Sequence, residues 1–357
     1  MPNWIGDIVL ATPTLRALRI SLPRASISVA VRPYASELAQ CLPDVDHVLQ
    51  IDPREGLRKA ARALRSNAFD TAILLPNSLR SALICRLAGI PRRIGYAMDA
   101  RRLFLTHTLS PPRRIWPAPP ETTAADLPDR RPRPRPFSRT RWAIASARDS
   151  YLRLAALLGA VLPTGDDGLP RLSPGPDALE QAQAFLTRAG VLGPFVILNP
   201  GGAFGSAKLW PPQRFADLAN SLASRAMACI VSVSPSEAPL AEAICARAPA
   251  ARPLDPPARR ISTVLGLVQR CSALVTNDTG PRHFAVALGR PLVTLFGPTH
   301  QGWTAVGYPN EVCLQLDLPC GPCQQKQCPL GTQACMTGLG TEAVLAALER
   351  LLPGQMG

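Results

Sequence analysis

The fold is decided by residues 273–298, ALVTNDTGPRHFAVALGRPLVTLFGP. The apolar run at residues 273–275 is typical of a buried parallel strand, and it stops at a cluster of turn formers and helix-capping residues, TNDTGP. We therefore expect a helix to begin near Pro281 and to end at Gly289, followed by a second buried strand at residues 291–296. Strand, turn, helix and strand in this order are half of an open α/β sheet.

The turn inside this stretch is a candidate binding site. Open α/β sheets bind ligands at the carboxyl ends of their strands, and the free N–H groups at the start of a helix attract anions such as phosphate. Asp278 and His283 are expected at the mouth of the same crevice. The alternative is that Asp278 or Thr279 only caps the helix and that His283 is a packed surface residue. The local motif does not decide between them.

Length and composition predict a two-domain globular protein. The chain has 357 residues, of which 46% are hydrophobic, and no apolar run reaches the ~18 residues that span a bilayer. With no leader-like N-terminus, we expect a soluble, cytoplasmic protein. The net charge of +14 favours an anionic partner, such as a nucleotide or an acidic lipid. Nucleic acid is not expected, because no nucleic-acid-binding motif is present.

The first domain is predicted at residues 1–160. Its opening, PNWIGD, places Gly6 and Asp7 in the turn that follows the first strand of a doubly wound sheet, before a helix-compatible run. The strand itself is missing, so either the chain begins upstream of Met1 or the sheet lacks a central strand. Elsewhere strands and helices alternate as in an open parallel sheet. The predicted strands are 26–31, 47–51, 71–75 and 93–95, and the predicted helices 35–41, 56–66, 78–88 and 144–158.

A Pro- and Arg-rich segment interrupts this pattern at residues 111–140. Its composition predicts an extended surface loop, which either contacts an anionic membrane surface or is a solvated insertion. Residues 161–176 are predicted to link the domains. The second domain is expected at residues 177–340, and a helix with a tail at residues 341–357. The elements predicted here, besides those in the opening stretch, are strands at 195–198, 228–232 and 312–316 and helices at 177–189, 212–223, 237–246, 261–270 and 341–352.

A glycine-rich stretch, NPGGAFGSAKLWP at residues 199–211, follows the first strand of the second domain. Its glycines allow a tight bend around a ligand, Ser206 offers a hydroxyl and Lys208 a point charge suited to phosphate. It lacks the GK[ST] ending of a Walker loop, and a plain turn with a solvated lysine is the alternative. Glu237 follows a strand end, where a carboxylate either reaches a ribose hydroxyl or complements a helix dipole.

Four of the ten cysteines crowd near the C-terminus, at positions 320, 323, 328 and 335. They either surround a Zn²⁺ ion or are reduced thiols, since the usual pair of CxxC knuckles is missing. The other six lie in apolar elements and are expected to be buried, reduced thiols.

Three stretches taken together, PNWIGD, NPGGAFGSAKLWP and NDTGPRHFAVALGRPLVTLFGPT, resemble the ADP-heptose:lipopolysaccharide heptosyltransferases of glycosyltransferase family nine, in particular the heptosyltransferase II branch. The CGPCQQKQCPLGTQACM stretch resembles that branch as well. The resemblance implies the GT-B architecture, two Rossmann-like parallel-sheet domains facing across a cleft. It also implies inverting transfer of heptose from ADP-L-glycero-β-D-manno-heptose to the lipopolysaccharide inner core, a Kdo- or heptose-bearing lipid A, at the inner face of the inner membrane. Neither a bound metal nor another cofactor is implied.

The same resemblance implies roles for individual residues. Asp7 would be the general base, and Lys208 would neutralise the donor phosphates together with the backbone of residues 279–281 (Thr279, Gly280, Pro281). Asp278 would hold heptose hydroxyls, and His283 would support the phosphate end of the site. Two alternatives stay open: a family member with another nucleotide-sugar donor or acceptor, and a nucleotide-binding protein without transferase activity. A dehydrogenase is not expected, because no GxGxxG motif follows a first strand.

Overall fold

The structure, a computed structural model, describes residues 1–98, 100–111 and 145–355. Helices and parallel strands alternate along this part of the chain. In chain order they are α1 (Ile5–Leu10), α2 (Thr12–Ser21), β1 (Ser28–Val31), α3 (Ser36–Ala39), β2 (His47–Gln50), α4 (Leu57–Arg65), β3 (Thr71–Ile73), α5 (Leu79–Leu87), β4 (Arg92–Tyr96), β5 (His107–Leu109), α6 (Ala147–Ala155), α7 (Pro176–Ala189), β6 (Phe195–Asn199), α8 (Pro212–Ala223), β7 (Ala228–Val231), α9 (Ala238–Arg247), β8 (Arg252–Pro253), α10 (Ile261–Arg270), β9 (Ala273–Asn277), α11 (Gly280–Ala287), β10 (Leu292–Phe296), β11 (Glu311–Gln315), α12 (Ala334–Thr337) and α13 (Thr341–Leu351).

The C-terminal half is built on a six-stranded parallel sheet in the order β11-β10-β9-β6-β7-β8. Every residue of β6, β9 and β10 is buried, as expected for central strands covered by helices on both faces. Alternate side chains of β6 enter different cores. Val196 and Leu198 pack with α8, α9 and α13, whereas Phe195 and Ile197 pack with α7, α10 and α11.

The N-terminal half has its parallel strands in two separate sheets, β1-β2 and β3-β4-β5. The prediction of one open sheet is therefore wrong for the described residues. Met1 to Trp4 lead directly into α1, and no strand precedes β1 among these residues.

Several element boundaries also differ from the sequence prediction. The first helical run is broken at Ala11 into α1 and α2, with Pro13 in the first turn of α2, where its missing N–H costs nothing. The helix α7 begins at Pro176, the last residue of the predicted linker. The short elements β5, β8 and α12 were not predicted. The Pro- and Arg-rich loop at 111–140 lies, apart from its first residue, outside the described residues.

The two halves share one hydrophobic cluster, which runs from Ile8 of α1 and Leu38 of α3 to Phe185 of α7 and Phe284 of α11. Within the described ranges, no helix is long and apolar enough to cross a membrane. The shared cluster brings the start of α1 against the start of α11, and this junction positions the candidate site.

Candidate functional site

The amino end of α11 is the centre of the candidate site. It follows β9, and its N-cap residue Thr279 is extended and makes no side-chain capping bond, so the interpretation of Thr279 as a simple cap is wrong. Pro281 lies in the first turn, where its fixed φ suits a helix start. Gly280 packs against α1, because a Cβ there would stand 3.5 Å from Ile5 Cγ2. The free N–H groups of this helix end are positioned to bind an anion.

The first turn of α1 lies directly on α11. A Cβ at Gly6 would stand 2.5 Å from His283 Cδ2 and 3.6 Å from Gly280 Cα, so only glycine permits this close approach. Asp7 is the next residue and is therefore carried to the same place. The structure thus brings together Asp7, the first residues of α11 and His283. Asp7 and His283 are 276 positions apart in the sequence.

Asp7 has the electrostatic character of a base. Burial, and after it the nearby carboxylate of Asp278, raises the pKa of Asp7 from 3.8 to about 6. Tyr151 of α6 is a second titratable neighbour: burial raises its pKa well above 10, and the charge of Asp7 adds to that effect. At pH 7 the Asp7 carboxylate is ionised, yet it accepts a proton more readily than an exposed aspartate does.

His283 is buried, with 4% of its surface exposed, so the interpretation of a surface histidine is wrong. Burial, and after it the charge of Arg282, lowers the pKa of His283 to about 3. The imidazole is therefore neutral at pH 7. Its Nδ1 has no hydrogen-bond partner within the part of the chain that the structure describes. A neutral ring can position a ligand by hydrogen bonding, but it adds no positive charge.

Lys208 reaches the same helix end from the glycine-rich loop. Its Nζ donates to Asp278 Oδ2 at 2.7 Å and to the Asp278 carbonyl at 3.0 Å, and it lies 4.7 Å from the centre of the Phe204 ring. Thr299 donates to the same carboxylate oxygen at 2.8 Å. The interpretation of Lys208 as a solvated side chain is wrong, since only 10% of that side chain is exposed.

A second buried ion pair supports Asp278. Arg282 of α11 forms a bidentate pair with Glu311 of β11, at 2.6 and 3.0 Å, and its Nη1 lies 3.8 Å from Asp278 Oδ1. Burial alone would raise the pKa of Asp278, but Lys208 and Arg282 hold it below the usual value. The sequence analysis missed Arg282 and Glu311. An Arg in the first turn of a helix opposes the dipole, and that unusual placement was the available signal.

Asn277 was also missed, although it stands beside Asp278 in the quoted stretch. Its Nδ2 donates to the carbonyls of Pro200 and Gly201, at 2.8 and 3.1 Å, and its Oδ1 accepts from Trp210 N at 3.3 Å. This one side chain therefore fastens both ends of the glycine-rich loop to the end of β9. Lys208 lies between those ends, so Asn277 fixes its position.

Glu237 and Ser206 lie at the edge of the site. Glu237 accepts from Gly202 N at 2.9 Å and forms a capping box with Ser234 before α9. It therefore holds the glycine-rich loop as well as starting a helix. Ser206 is exposed, and its carbonyl accepts from Gln333 Nε2 at 3.1 Å. Its hydroxyl thus lies at the surface rather than with Lys208.

The four late cysteines line one small cavity of about 30 Å³ beneath the glycine-rich loop. All ten cysteines are free thiols, and no three His, Cys, Asp or Glu side chains of the described segments are placed so that they could hold a metal ion. The cysteine-rich segment braces the site through its backbone: Lys326 O accepts from Ala207 N, and Gln324 N donates to Pro298 O at 2.7 Å.

The site combines a positively charged region with a carboxylate that can act as a base. Lys208 and the N–H groups of α11 can hold the phosphates of a ligand, and the ionised Asp7 lies across the junction from them. Such an arrangement suits displacement of a phosphate leaving group by an alcohol that the carboxylate deprotonates.

Comparison with known proteins identifies the family of this chain. A family model described as "Glycosyltransferase family 9 (heptosyltransferase)" matches residues 57–118 and 153–334, which is more than half of the chain. The chain is 27% identical to lipopolysaccharide heptosyltransferase 2 of Escherichia coli, over 85% of this chain and 83% of that one.

Two solved structures have the same fold. A structure of E. coli ADP-heptose lipopolysaccharide heptosyltransferase II superposes with a TM-score of 0.75 at 25% identity, covering 98% of this chain and 96% of the other. A glycosyltransferase family 9 protein from Veillonella parvula superposes with a TM-score of 0.80 at 20% identity, covering 98% and 94%.

Proposed function

The chain belongs to glycosyltransferase family 9, the heptosyltransferase family, and from this premise we propose that it transfers heptose from ADP-heptose to the inner core of lipopolysaccharide. The two parallel-sheet halves form the GT-B architecture, as predicted from the sequence. The observation that carries the proposal is the meeting of Asp7 with Lys208, Asp278 and the start of α11 at the junction of the halves.

The donor diphosphate is proposed to bind at the start of α11. As ADP departs, negative charge grows on its phosphates, and the Lys208 ammonium stabilises that charge together with the backbone at residues 279–281, where Thr279 and Gly280 offer N–H groups. Lys208 exchanges part of its contact with Asp278 for the phosphate, which leaves the Asp278 carboxylate next to the sugar, where it accepts from heptose hydroxyls. Because these groups supply the positive charge, we propose that the reaction needs no divalent metal. The neutral His283 supports the phosphate end by hydrogen bonding. Glu237 and Ser206 lie at the edge of the site, on the side of the nucleotide.

Asp7 is proposed as the general base. An acceptor hydroxyl that enters between the two halves gives its proton to Asp7 while its oxygen attacks the anomeric carbon from the side opposite the leaving phosphate. Attack from the opposite side inverts the configuration at that carbon. A pKa near 6 places Asp7 close to the optimum for a base at neutral pH.

The acceptor and the placement in the cell are proposed from chemistry. A Kdo- or heptose-bearing lipid A is anchored in a membrane, so we propose transient contact with the inner face of the inner membrane. The net charge of +14 supports contact with that anionic surface. We also propose the division into domains at residues 1–160 and 177–340, joined by residues 161–176, with a closing helix and tail at residues 341–357.

The test is turnover of purified protein with ADP-heptose and core-lipid acceptors that end in Kdo or in heptose, followed by mass detection of product and proton NMR of the new anomeric centre. We expect one added heptose of inverted configuration, unaffected by EDTA. Asp7→Asn should lower turnover about 10²- to 10⁴-fold and leave ADP binding intact. ADP-heptose binding without turnover on any acceptor would refute the transferase proposal and leave a nucleotide-binding protein.

A further inference from the structure

The helix α5 is apolar on both of its faces, although it lies at the surface. Its inward face carries Ile84 and Ala88, which are buried together with residues of α4. Leu79, Leu83 and Leu87 follow one another at intervals of four residues, so they form one stripe along the outer face. Leu79 and Leu87 are each 41% exposed, and Leu83 is partly buried between them. A surface helix normally turns polar residues outward, so this leucine stripe is unusual.

Arginines border the leucine stripe on both of its edges. Since each residue advances a helix by about 100°, Arg86 lies beside Leu79 on one edge and Arg80 lies beside Leu87 on the other. Both arginines are exposed. An arginine keeps its charge at a polar surface while its stem lies along apolar groups. Leucines between arginines are therefore the pattern of a helix that lies in a lipid–water interface.

The neighbouring helix α4 adds a basic stripe to the same surface. The two helices pack side by side, and Arg65 Nη2 near the end of α4 donates to the Leu87 carbonyl of α5 at 2.5 Å. Arg58, Arg62 and Arg65 recur at helical spacing and are exposed, whereas the opposite face of α4 is apolar and buried. The two stripes together form the α4–α5 face, which consists of Arg58, Arg62 and Arg65 and of Leu79, Leu83 and Leu87 with their bordering arginines.

Half of the net charge of the protein lies in and around this face. Residues 54–98 contain nine Lys and Arg against two Asp and Glu, a net charge of +7 out of the +14 of all 357 residues. Arg93 is buried and donates to the Phe104 carbonyl, but the other eight basic residues are exposed. Such a concentration of one sign attracts an anionic surface far more strongly than the same charge spread over the whole molecule.

An anionic bilayer matches both features of the α4–α5 face. Its headgroup phosphates complement the arginines, and the boundary of its acyl region takes up the leucines. Duplex nucleic acid would use the charges alone and leave the leucines in water. Residues 112–144 of this chain contain eight Arg against three Asp and Glu, so their charge does not complement the face.

The position of the face leaves the candidate site accessible. The helices α4 and α5 pack in a hydrophobic cluster of their own, whereas α1 and α3 belong to the cluster that the two halves share. A bilayer on the α4–α5 face therefore touches the N-terminal half and not the junction between Asp7 and Lys208. Both helices begin near the carboxyl ends of strands, the edge of a parallel sheet at which ligands bind.

We propose that the α4–α5 face docks this protein on a bilayer of anionic phospholipid. Leu79, Leu83 and Leu87 enter the boundary between headgroups and acyl chains, and the arginines on either side bind the phosphates. The inference rests on the proposed function for the source of the membrane, because the acceptor of that function is anchored in lipid. It assigns the membrane contact, which a net charge alone does not locate, to two helices.

The test is co-sedimentation of the full chain with lipid vesicles at about 0.1 M salt. Vesicles of phosphatidylethanolamine and phosphatidylglycerol supply an anionic surface, and vesicles of phosphatidylcholine a neutral one. We expect binding to the anionic vesicles alone. An arginine near such a surface changes affinity about fivefold, so Arg62→Gln with Arg86→Gln should weaken binding about 25-fold. The matched control, Arg247→Gln with Arg350→Gln, removes two exposed arginines of the C-terminal half and should change binding less than about twofold.

The leucine stripe separates a bilayer from other anionic partners. Leu79→Ser with Leu87→Ser should weaken binding to the anionic vesicles about tenfold, because both side chains leave water on docking. Leu192→Ser is the control, since Leu192 is 93% exposed but lies in the C-terminal half, and it should leave binding unchanged. Midpoints of thermal unfolding show that each variant is folded.

Three results would overturn the docking face. The first is no binding to anionic vesicles, and the second is equal weakening by the two arginine pairs. The third is vesicle binding that needs the arginines but not the leucines, because the face would then bind any polyanion, such as a nucleic acid.

Turnover measurements keep the docking face distinct from the proposed function. The arginine pair of the face should lower turnover of an acceptor embedded in anionic vesicles and leave turnover of the same acceptor without acyl chains unchanged. Binding to anionic vesicles that depends on the face, without turnover of any acceptor, would support the docking face and refute the transferase. Turnover of the deacylated acceptor without binding to anionic vesicles would overturn the docking face alone.

Discussion

Asp7→Asn is expected to stabilise the protein while it removes activity. The carboxylate of Asp7 is partly buried next to Asp278, and its pKa is raised from 3.8 to about 6. One pKa unit corresponds to 1.36 kcal/mol, so ionised Asp7 lowers the free energy of unfolding at neutral pH by up to about 3 kcal/mol. An asparagine of the same shape carries no charge and avoids this cost.

The pH dependence of the effect has a definite sign. The folded protein binds the Asp7 proton more tightly than the unfolded chain does, so stability falls as pH rises between about 4 and 6. The destabilisation is absent below the unfolded pKa of 3.8, about half developed at pH 5 and complete above pH 7. The difference between Asp7→Asn and the unmodified protein should follow this curve.

Urea unfolding of both proteins at pH 5 and pH 8 measures the difference directly. Asp177→Asn is a matched control, because Asp177 also lies in the first turn of a helix, α7, but is exposed. Asp177→Asn should lower the free energy of unfolding by about 0.3–1 kcal/mol, the contribution of a carboxylate near a helix start. It should not stabilise the protein at pH 8. If the Asp7→Asn protein is no more stable than the unmodified one at pH 8, the claim that burial of the ionised Asp7 carboxylate destabilises the fold is refuted. Greater stability with full turnover would refute the role of Asp7 as base.

Three further substitutions test the rest of the site. Gly6→Ala places a methyl group 2.5 Å from His283 Cδ2 and should displace α1, lowering kcat about 10²-fold in a turnover assay while ADP binding persists. Lys208→Met removes the charged donor and should weaken ADP binding about 10- to 100-fold by calorimetry. Arg282→Met leaves Glu311 as a buried, unpaired charge and should cost about 3–5 kcal/mol in urea unfolding.

Each of these substitutions has a control elsewhere in the chain. Gly175→Ala adds a methyl group with no atom within 4 Å and should leave turnover unchanged. Lys59→Met removes an exposed lysine and should not affect ADP binding. Arg225→Met breaks an exposed ion pair and should cost less than about 1 kcal/mol. Equal effects in a substitution and its control would contradict the corresponding argument.

Local sequence predicted most of the elements because local rules decide them. The helices at residues 212–223 and 261–270 were predicted with the bounds that the structure has, since each carries a buried apolar face along its length. Short elements such as β8 and α12 were missed, because two to four residues carry no periodicity. The break at Ala11 was missed although Pro13 signals it, because a proline inside one continuous helix would remove a backbone hydrogen bond.

The sequence by itself predicted the type of site without deciding it. A buried strand that ends in TNDTGP predicts an anion site at a helix start, and a glycine-rich loop with Lys208 predicts a cation nearby. Only the tertiary structure decided how these groups are paired. Asp278 could bind a ligand, cap the helix or pair with Lys208. The choice depends on contact with a residue 70 positions away in the sequence, which no local pattern encodes. The pKa of Asp7 was decided in the same way, because burial is a property of the packed chain.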